Sequence, residues 1–510
     1  MNAQKPREIA VRILQQRRQR RGYLETLLDR ALEQTRLRPA DRRLCQELVC
    51  GVVRWEATLD WLIASRTAGR KQKPLVQDLL RLGLYQLFWL DRIPPHAVLH
   101  ETVETAKTFG LGNHAGFINA ILRTALHHEQ LIRAQLDELK KKRPALGWSH
   151  PEWLYLRWKS RWGEARARQL LEWNNTPPAT FARVNTLRTE PGPLLERWRL
   201  KENVEYDFVR RPWLEENLVF ELKAHPPLSS LASFQKGWFY VQDPSTLLAP
   251  RELDPRPGES VLDFCAAPGG KPTYLAQLMR NQGRIVAQDT SNARLKLLAE
   301  NCARLGVTCV EIRPVRSSLS AARADGDAAH PTADDSPETS DAPSLGGATG
   351  SGKTTVASRA CPATATLDAP VAVAEAAPQP ATETRPDSGN VDSAGAPAEP
   401  PELFDRVLLD APCSNTGVLR RRLDLRWRLR PEEIERLQRV QLKLLHEAAR
   451  RVRPGGVLVY STCSLEREEN QQVVELFLAD ERDFTLECQR ELLPFADGVD
   501  GAYVARLRRA

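Results

Sequence analysis

The sequence predicts an α/β protein: an open, largely parallel sheet in the C-terminal half, preceded by an all-helical region and a small α+β region. Three observations carry this expectation. Val261-Leu262-Asp263-Phe264-Cys265-Ala266-Ala267-Pro268-Gly269-Gly270-Lys271 reads as a short apolar strand, an acid and a small-residue turn, and a helical pattern follows over about 274–279. Strand, tight turn and helix is how such a sheet presents backbone N–H groups to a cofactor. A second apolar run, Arg284-Ile285-Val286-Ala287-Gln288, ends in Asp289 about 19 residues beyond the turn, where a carboxylate can bind ribose hydroxyls. Finally, apolar residues recur at three- and four-residue spacing from the start to about residue 140. The first two observations point to a nucleoside-cofactor site. The plainer alternative is a glycine-containing turn in some other α/β protein.

At 510 residues the chain is long enough for about three domains. No apolar run reaches the ~18 residues that span a membrane, so no membrane partner is expected. The start is charged throughout and lacks the apolar stretch of a secretory signal, and Glu8, Glu25 and Asp29 oppose a transit peptide. The nine cysteines include no C-x-x-C pair, which suits free thiols in a reducing cytoplasm and neither a disulfide framework nor a zinc site. Net charge is +8, but residues 321–400 hold 12 acidic and 4 basic residues, so the remainder carries +16. A body that basic suggests a polyanionic partner such as nucleic acid, although many basic proteins bind none.

In chain order, Ile9-Ala10-Ile13-Leu14, Leu24-Leu27-Leu28-Ala31-Leu32, Leu75-Leu79-Leu80-Leu82-Leu84 and Ala115-Ile118-Ile121-Leu122 mark helices, with Pro94-Pro95 separating two of them. Arg17, Arg18, Arg20 and Arg21 form a basic cluster that suits either a solvated face or RNA contact. Cys45 and Cys50 read as core thiols. From about 149 to 240, Trp148, Trp153, Trp158, Trp162 and Trp173 interleave with Arg157, Lys159, Arg161, Arg166 and Arg168. Such tryptophans serve packing more often than base stacking, and both readings stand. Phe181-Ala182-Arg183-Val184-Asn185 and Leu218-Val219-Phe220 read as strands of the α+β region.

The third strand of the large sheet is expected over about 307–312, where the regular pattern stops. Residues from about 317 to 400 are rich in Ala, Pro, Ser, Thr, Asp and Gly and lack aromatics, the composition of a disordered insertion. Within it, Gly347-Ala348-Thr349-Gly350-Ser351-Gly352-Lys353-Thr354 fits a phosphate-loop pattern, but no strand precedes it, so no ATPase site is expected. Phe404-Asp405-Arg406-Val407-Leu408-Leu409-Asp410 restores order as a buried parallel strand, followed by a helix over about 431–452 with proline in its first turn. Pro454-Gly455-Gly456 turns into the strand Val457-Leu458-Val459-Tyr460-Ser461; a helix over about 466–478 and a final strand over 503–507 complete the pattern.

Open α/β sheets bind ligands at the C-terminal ends of their strands. Four such ends carry the Cys265 turn, Asp289, Asp410-Ala411-Pro412-Cys413 and Thr462-Cys463. Cys413 and Cys463 lie 50 residues apart but should converge. Their bland reading is two small residues closing packed turns. Their functional reading is covalent catalysis on an electrophilic ring, because a thiolate is the strongest ordinary protein nucleophile near neutral pH. Thiolate addition to C6 of cytosine makes C5 nucleophilic enough to accept a methyl group from S-adenosylmethionine. One cysteine would attack while the other assists release, and Asp410 would hydrogen-bond the base edge. No histidine or cysteine spacing suits a metal.

These motifs resemble the NOL1/NOP2/Sun RNA cytosine-C5 methyltransferases: Cys265-Ala266-Ala267-Pro268-Gly269-Gly270-Lys271, Asp410-Ala411-Pro412-Cys413-Ser414 and Ser461-Thr462-Cys463-Ser464. The helical start resembles the Fmu/Sun branch, bacterial 16S rRNA methyltransferases with a NusB-like RNA-binding domain. The resemblance covers nearly the whole chain outside the insertion. It implies a NusB-like domain at 1–145, a small α+β RNA-binding or linking domain at 146–240, and a Rossmann-like methyltransferase domain at 241–510 interrupted at about 317–400. It implies that Cys463 attacks and Cys413 assists product release. Cys265, Ala266, Ala267, Pro268, Gly269, Gly270, Lys271 and Asp289 would bind S-adenosylmethionine, with Asp410 lining the same site and 16S rRNA as partner. Two places depart from the family pattern. Pro272 replaces the usual threonine after the lysine, and Arg313-Pro314 stands where an acid near the adenine is expected, leaving Asp325, Asp327 or no residue for that place. The alternative function is an RNA-binding assembly or antitermination factor with a vestigial methyltransferase core.

Overall fold

Prolines set the starts of the N-terminal helices. In the computed structural model, which describes residues 5–19, 22–315 and 402–510, Pro6, Pro39, Pro74 and Pro95 open the helices Pro6–Arg18, Pro39–Arg54, Pro74–Trp89 and Pro95–Thr108. A first-turn N–H has no helical partner, so proline loses nothing there. The apolar stripes meet in one core that includes Ile13, Leu48, Val52, Leu79, Leu80 and Ile118. Gly51 lets two helices close up, since a Cβ there would lie 1.9 Å from the Tyr85 ring. Leu423, from the C-terminal region, is buried in this same core, a burial that contributes ~2 kcal/mol. Arg17 pairs with Glu56 at 2.8 Å and Asp424 at 2.5 Å, and Arg18 with Asp78 at 2.5 Å. These two arginines are therefore internal ties. Arg20, Arg21, Asp325, Asp327, the phosphate-loop-like stretch and the whole insertion lie outside the described residues.

Helices Glu152–Trp162 and Glu164–Asn174 lead into an antiparallel sheet of β1 (Thr180–Val184), β2 (Glu205–Phe208), β3 (Val219–Ala224) and β4 (Phe239–Val241), in the order β2-β3-β1-β4. Trp198 fills its core against Tyr206, Phe220 and Phe239. Three tryptophans of the basic-aromatic stretch pack against the C-terminal region. Trp158 is buried and donates to Glu466 at 3.2 Å, Trp162 meets Phe495, and Trp173 lies under the Arg420 guanidinium.

The large sheet comprises β5 (Ser260–Asp263), β6 (Arg284–Asp289), β7 (Val310–Pro314), β8 (Phe404–Asp410), β9 (Val452–Thr462), β10 (Phe484–Leu492) and β11 (Ala502–Arg509). Their order is β10-β11-β9-β8-β5-β6-β7, with β5 to β9 parallel and β10 and β11 antiparallel. Alternate residues feed opposite faces: Val407, Leu409, Leu458 and Tyr460 join one core, Leu408, Val457 and Val459 the other. The chain runs outward from β5 to β7, then returns to β8 on the other side of β5. This reversal opens a crevice at the C-terminal ends of β5 and β8.

The structure corrects several boundaries. The third strand lies at Val310–Pro314, not 307–312, because the helix before it ends at Leu305 and Gly306 turns the chain in the left-handed region. The helix expected over 431–452 ends at Ala449, and the one expected over 466–478 begins only at Gln471. Pro454-Gly455-Gly456 lies inside β9 as an irregularity: Phe404 pairs with Val452, but Arg406 with Val457. β10 escapes the sequence pattern because it is largely exposed. No helix among the described residues is long and apolar enough to cross a membrane.

Candidate active site

The glycine turn after β5 is shaped by close approach. Gly269 has φ of 114°, and a Cβ there would lie 2.8 Å from Leu298. The next residue opens the helix Gly270–Leu278, with Pro272 in its first turn, so the departure at that position is structurally compatible. The helix Asn292–Leu305 grips the turn from outside: Arg294 donates to the Ala267 carbonyl, and Asn301 to that of Pro268 at 3.1 Å. Cys265 packs against the core around Leu262 and Phe264. Asp289 ends β6 and accepts from the Ser291 N–H at 3.0 Å.

Three carboxylates and one ammonium converge here. Lys271 pairs with Asp410 at 2.5 Å, and Ser461 donates to the other Asp410 oxygen at 2.9 Å. Asp263 is fully buried; the Cys265 backbone N–H faces its carboxyl, and among the described residues neither oxygen has a partner at full hydrogen-bond geometry. Burial pushes its carboxyl up to about 8; Lys271 opposes this, while Asp410 and Asp289 add to it. Burial works against the charge on Lys271, but Asp410, Asp263 and Cys463 together hold its ammonium above the ordinary lysine range. At the end of β7, Pro314 pairs in register with Asp289, and Arg313 is bound to Glu311 and Glu402.

The two strand-end cysteines meet. Cys413 Sγ and Cys463 Sγ are 3.3 Å apart, and both are free thiols. Asn415, in the left-handed region, ties them: its Oδ1 accepts from Cys463 Sγ at 3.1 Å and its Nδ2 donates to the Cys413 carbonyl at 2.6 Å. Glu469 lies buried behind the pair and accepts from Ser414 N–H at 2.8 Å, the Ser414 hydroxyl, Ser464 Oγ at 2.5 Å and Gln441 Nε2 at 2.9 Å. The hydrogen bond to Cys463, burial, and the charges of Cys463 and Glu469 push the Cys413 thiol well above its ordinary range. The arrangement can deliver one thiolate while holding a proton on its neighbour. Among the described residues no group of side chains is suited to a metal ion.

Two buried guanidiniums brace the site from neighbouring regions. Arg183, on β1, donates to the Gly270 carbonyl at 3.0 Å, Gln242 Oε1 at 2.7 Å and Thr273 Oγ1 at 3.1 Å, with the Tyr240 and Tyr274 rings against it. Arg426, a few turns beyond Cys413, donates to the carbonyls of Arg54, Ser149, Asn174 and Leu419 and, at 2.7 Å, to Asn175 Oδ1. Burial lowers Arg183 to about 10 and Arg426 to about 9. Sequence reasoning missed both, together with Glu469, Asn415 and Ser461. Only Ser461 carried a local signal, since it borders the Thr462-Cys463 strand end.

Comparison with known proteins shows the family and the fold. Residues 4–127 match the NusB family, residues 150–221 the ferredoxin-like domain of RsmF/B-like methyltransferases, and residues 250–323 with 384–508 the family described as 16S rRNA methyltransferase RsmB/F. Among curated relatives, the probable ribosomal RNA small subunit methyltransferase B of Bacillus subtilis (strain 168) is 31% identical, covering 99% of this chain and 98% of its own. That of Synechocystis sp. (strain ATCC 27184 / PCC 6803 / Kazusa) is 32% identical over 99% of both chains. The crystal structure of PH0851 superposes with a TM-score of 0.68 over 99% of both chains at 22% identity, a likeness of fold.

Proposed function

This chain belongs to the 16S rRNA methyltransferase RsmB/F family, and on that premise we propose that it methylates carbon 5 of a cytosine in 16S rRNA through a covalent cysteine adduct. It is an S-adenosylmethionine-dependent methyltransferase. The observation that carries the adduct reading is the pair of strand-end thiols at 3.3 Å, next to the Lys271–Asp410 ion pair.

The crevice fits the cofactor. Gly269 leaves no room for a side chain, Asp263 brings buried oxygens with no partner at full hydrogen-bond geometry among the described residues, and Asp289 stands at the end of the neighbouring strand. When bound, S-adenosylmethionine supplies an electrophilic methyl group. Cys265, Ala266, Ala267, Pro268, Gly269, Gly270, Lys271 and Asp289 would hold it, with Asp410 lining the site.

The protein's own groups supply the rest. Cys463 attacks C6, forming the S–C6 bond and moving the C5=C6 electron pair toward C5. The Lys271 ammonium interacts electrostatically with Cys463. Asp410, held by Lys271 and Ser461, hydrogen-bonds the cytosine edge and favours protonated N3. Once C5 carries the methyl group, a base takes the C5 proton, the C5–H electron pair re-forms the C5=C6 double bond, and the S–C6 bond breaks to return Cys463 as a thiolate. Cys413, kept as a thiol by its neighbours, assists that release. The basic helical and α+β regions hold the RNA, and the reaction takes place in the cytoplasm, where such thiols stay reduced.

Methyl transfer from radiolabelled S-adenosylmethionine to unmodified 16S rRNA tests the reading. Wild type should place label on a cytosine C5, and Cys463→Ala should lose at least ~10³-fold in turnover. Full labelling by Cys463→Ala, or label at another atom, overturns it.

A further inference from the structure

We propose that Glu469 is a positioning residue of the two-thiol site: its carboxylate holds the residue that follows each cysteine and so fixes the thiols against one another. Ser414 follows Cys413, Ser464 follows Cys463, and both hydroxyls point to this one buried carboxylate. Gln441, from the helix Pro431–Ala449, completes the clamp, giving one hydrogen bond to Glu469 and another to the Pro412 carbonyl, each at 2.9 Å. Cys413 is thus held from the residue before it and the residue after it.

The surroundings demand a carboxylate. Four donors converge on two oxygens, and an ionised carboxylate is the side chain that offers acceptors alone. Ser464 Oγ already accepts from the Glu466 N–H at 3.0 Å, which directs its own hydrogen toward Glu469. None of these partners is a cation. A buried carboxylate held by neutral donors is costly to desolvate, and an apolar residue would pack there more cheaply. What the carboxylate adds is a defined distance between two turns 50 residues apart in sequence.

The consequence for turnover rests on the cytosine-methylation reading, whereas the separation of the thiols does not, so two measurements divide them. In the free protein, diamide takes one proton and one electron from each thiol, so the two sulfurs join as the Cys413–Cys463 disulfide and diamide is reduced to its hydrazine. Closure is followed by mass spectrometry of the linked peptides. Glu469→Gln, which keeps the length but turns an N–H donor toward donors, and Glu469→Ala should each slow closure by about tenfold. In methyl transfer, kcat should fall about 10- to 100-fold while KM for RNA and Kd for S-adenosylmethionine stay within about twofold. Wild-type closure together with wild-type kcat in Glu469→Gln overturns the proposal. If Glu469→Ala fails to fold, Glu469→Gln alone decides. If wild type places no methyl group on cytosine, the functional reading fails and the closure rates still decide the clamp.

Discussion

Asp263 and Glu469 are both buried carboxylates beside the same crevice, and their surroundings are opposite. Among the described residues Glu469 receives four hydrogen bonds, whereas Asp263 has the Cys265 N–H nearby and no partner at full hydrogen-bond geometry. The difference separates the two halves of the site. The thiol half must hold two sulfur atoms in contact, so its polar groups are satisfied internally. The nucleotide half is the proposed ligand site, and among the described residues the Asp263 acceptors there have no partner at full hydrogen-bond geometry.

Each half is also braced from a different region by a buried guanidinium bonded to uncharged oxygens. Arg183 reaches the glycine turn from the α+β region. Arg426 joins the segment after Cys413 to the helical region, alongside Leu423 and the Arg17–Asp424 pair.

Exchanging the two braces gives the largest effects that break this comparison. Arg426→Met should lower stability by about 2–4 kcal/mol, since several carbonyls lose a buried donor. At a temperature where it remains folded, its kcat should fall while S-adenosylmethionine affinity is retained. Arg183→Met should show the reverse, with cofactor Kd weakened about tenfold by calorimetry and thiol closure by diamide unchanged. Equal losses of both properties in both variants would mean that the halves are not separately braced.

A smaller effect comes from Asp263. Its carboxyl titrates near 8 in the folded chain, well above its value in the unfolded chain. The folded state therefore binds the proton more tightly, and stability is lost as pH rises from about 4 to about 8. Asp263→Asn carries no such charge. Its melting temperature should gain on wild type across that window and hold a constant lead above about pH 9. A lead independent of pH would show that Asp263 is charged in the folded chain throughout.

What was legible in the sequence follows from how local each signal is. Asp410 and Cys413 end an unbroken apolar strand, and Thr462-Cys463 ends another, so the fold class alone places them at one edge. The glycine turn is legible for the same reason. Glu469 is not, because it lies in the turn between β9 and the helix beginning at Gln471, where the apolar pattern suggested helix throughout. Arg183 and Arg426 look like surface residues until distant carbonyls converge on them. The tryptophans were ambiguous because burial against another region leaves the same local pattern as base stacking. β10 was missed because only Phe484 and Leu492 of that strand are buried.

The most direct measurement of the two-thiol chemistry is a denaturing gel of the Cys413→Ala protein incubated with S-adenosylmethionine and labelled, unmodified 16S rRNA. If Cys463 attacks and Cys413 assists release, this variant accumulates a protein–RNA adduct that survives denaturation, and adding Cys463→Ala removes it. Free RNA alone, together with normal turnover by Cys413→Ala, would contradict the assignment of the two cysteines.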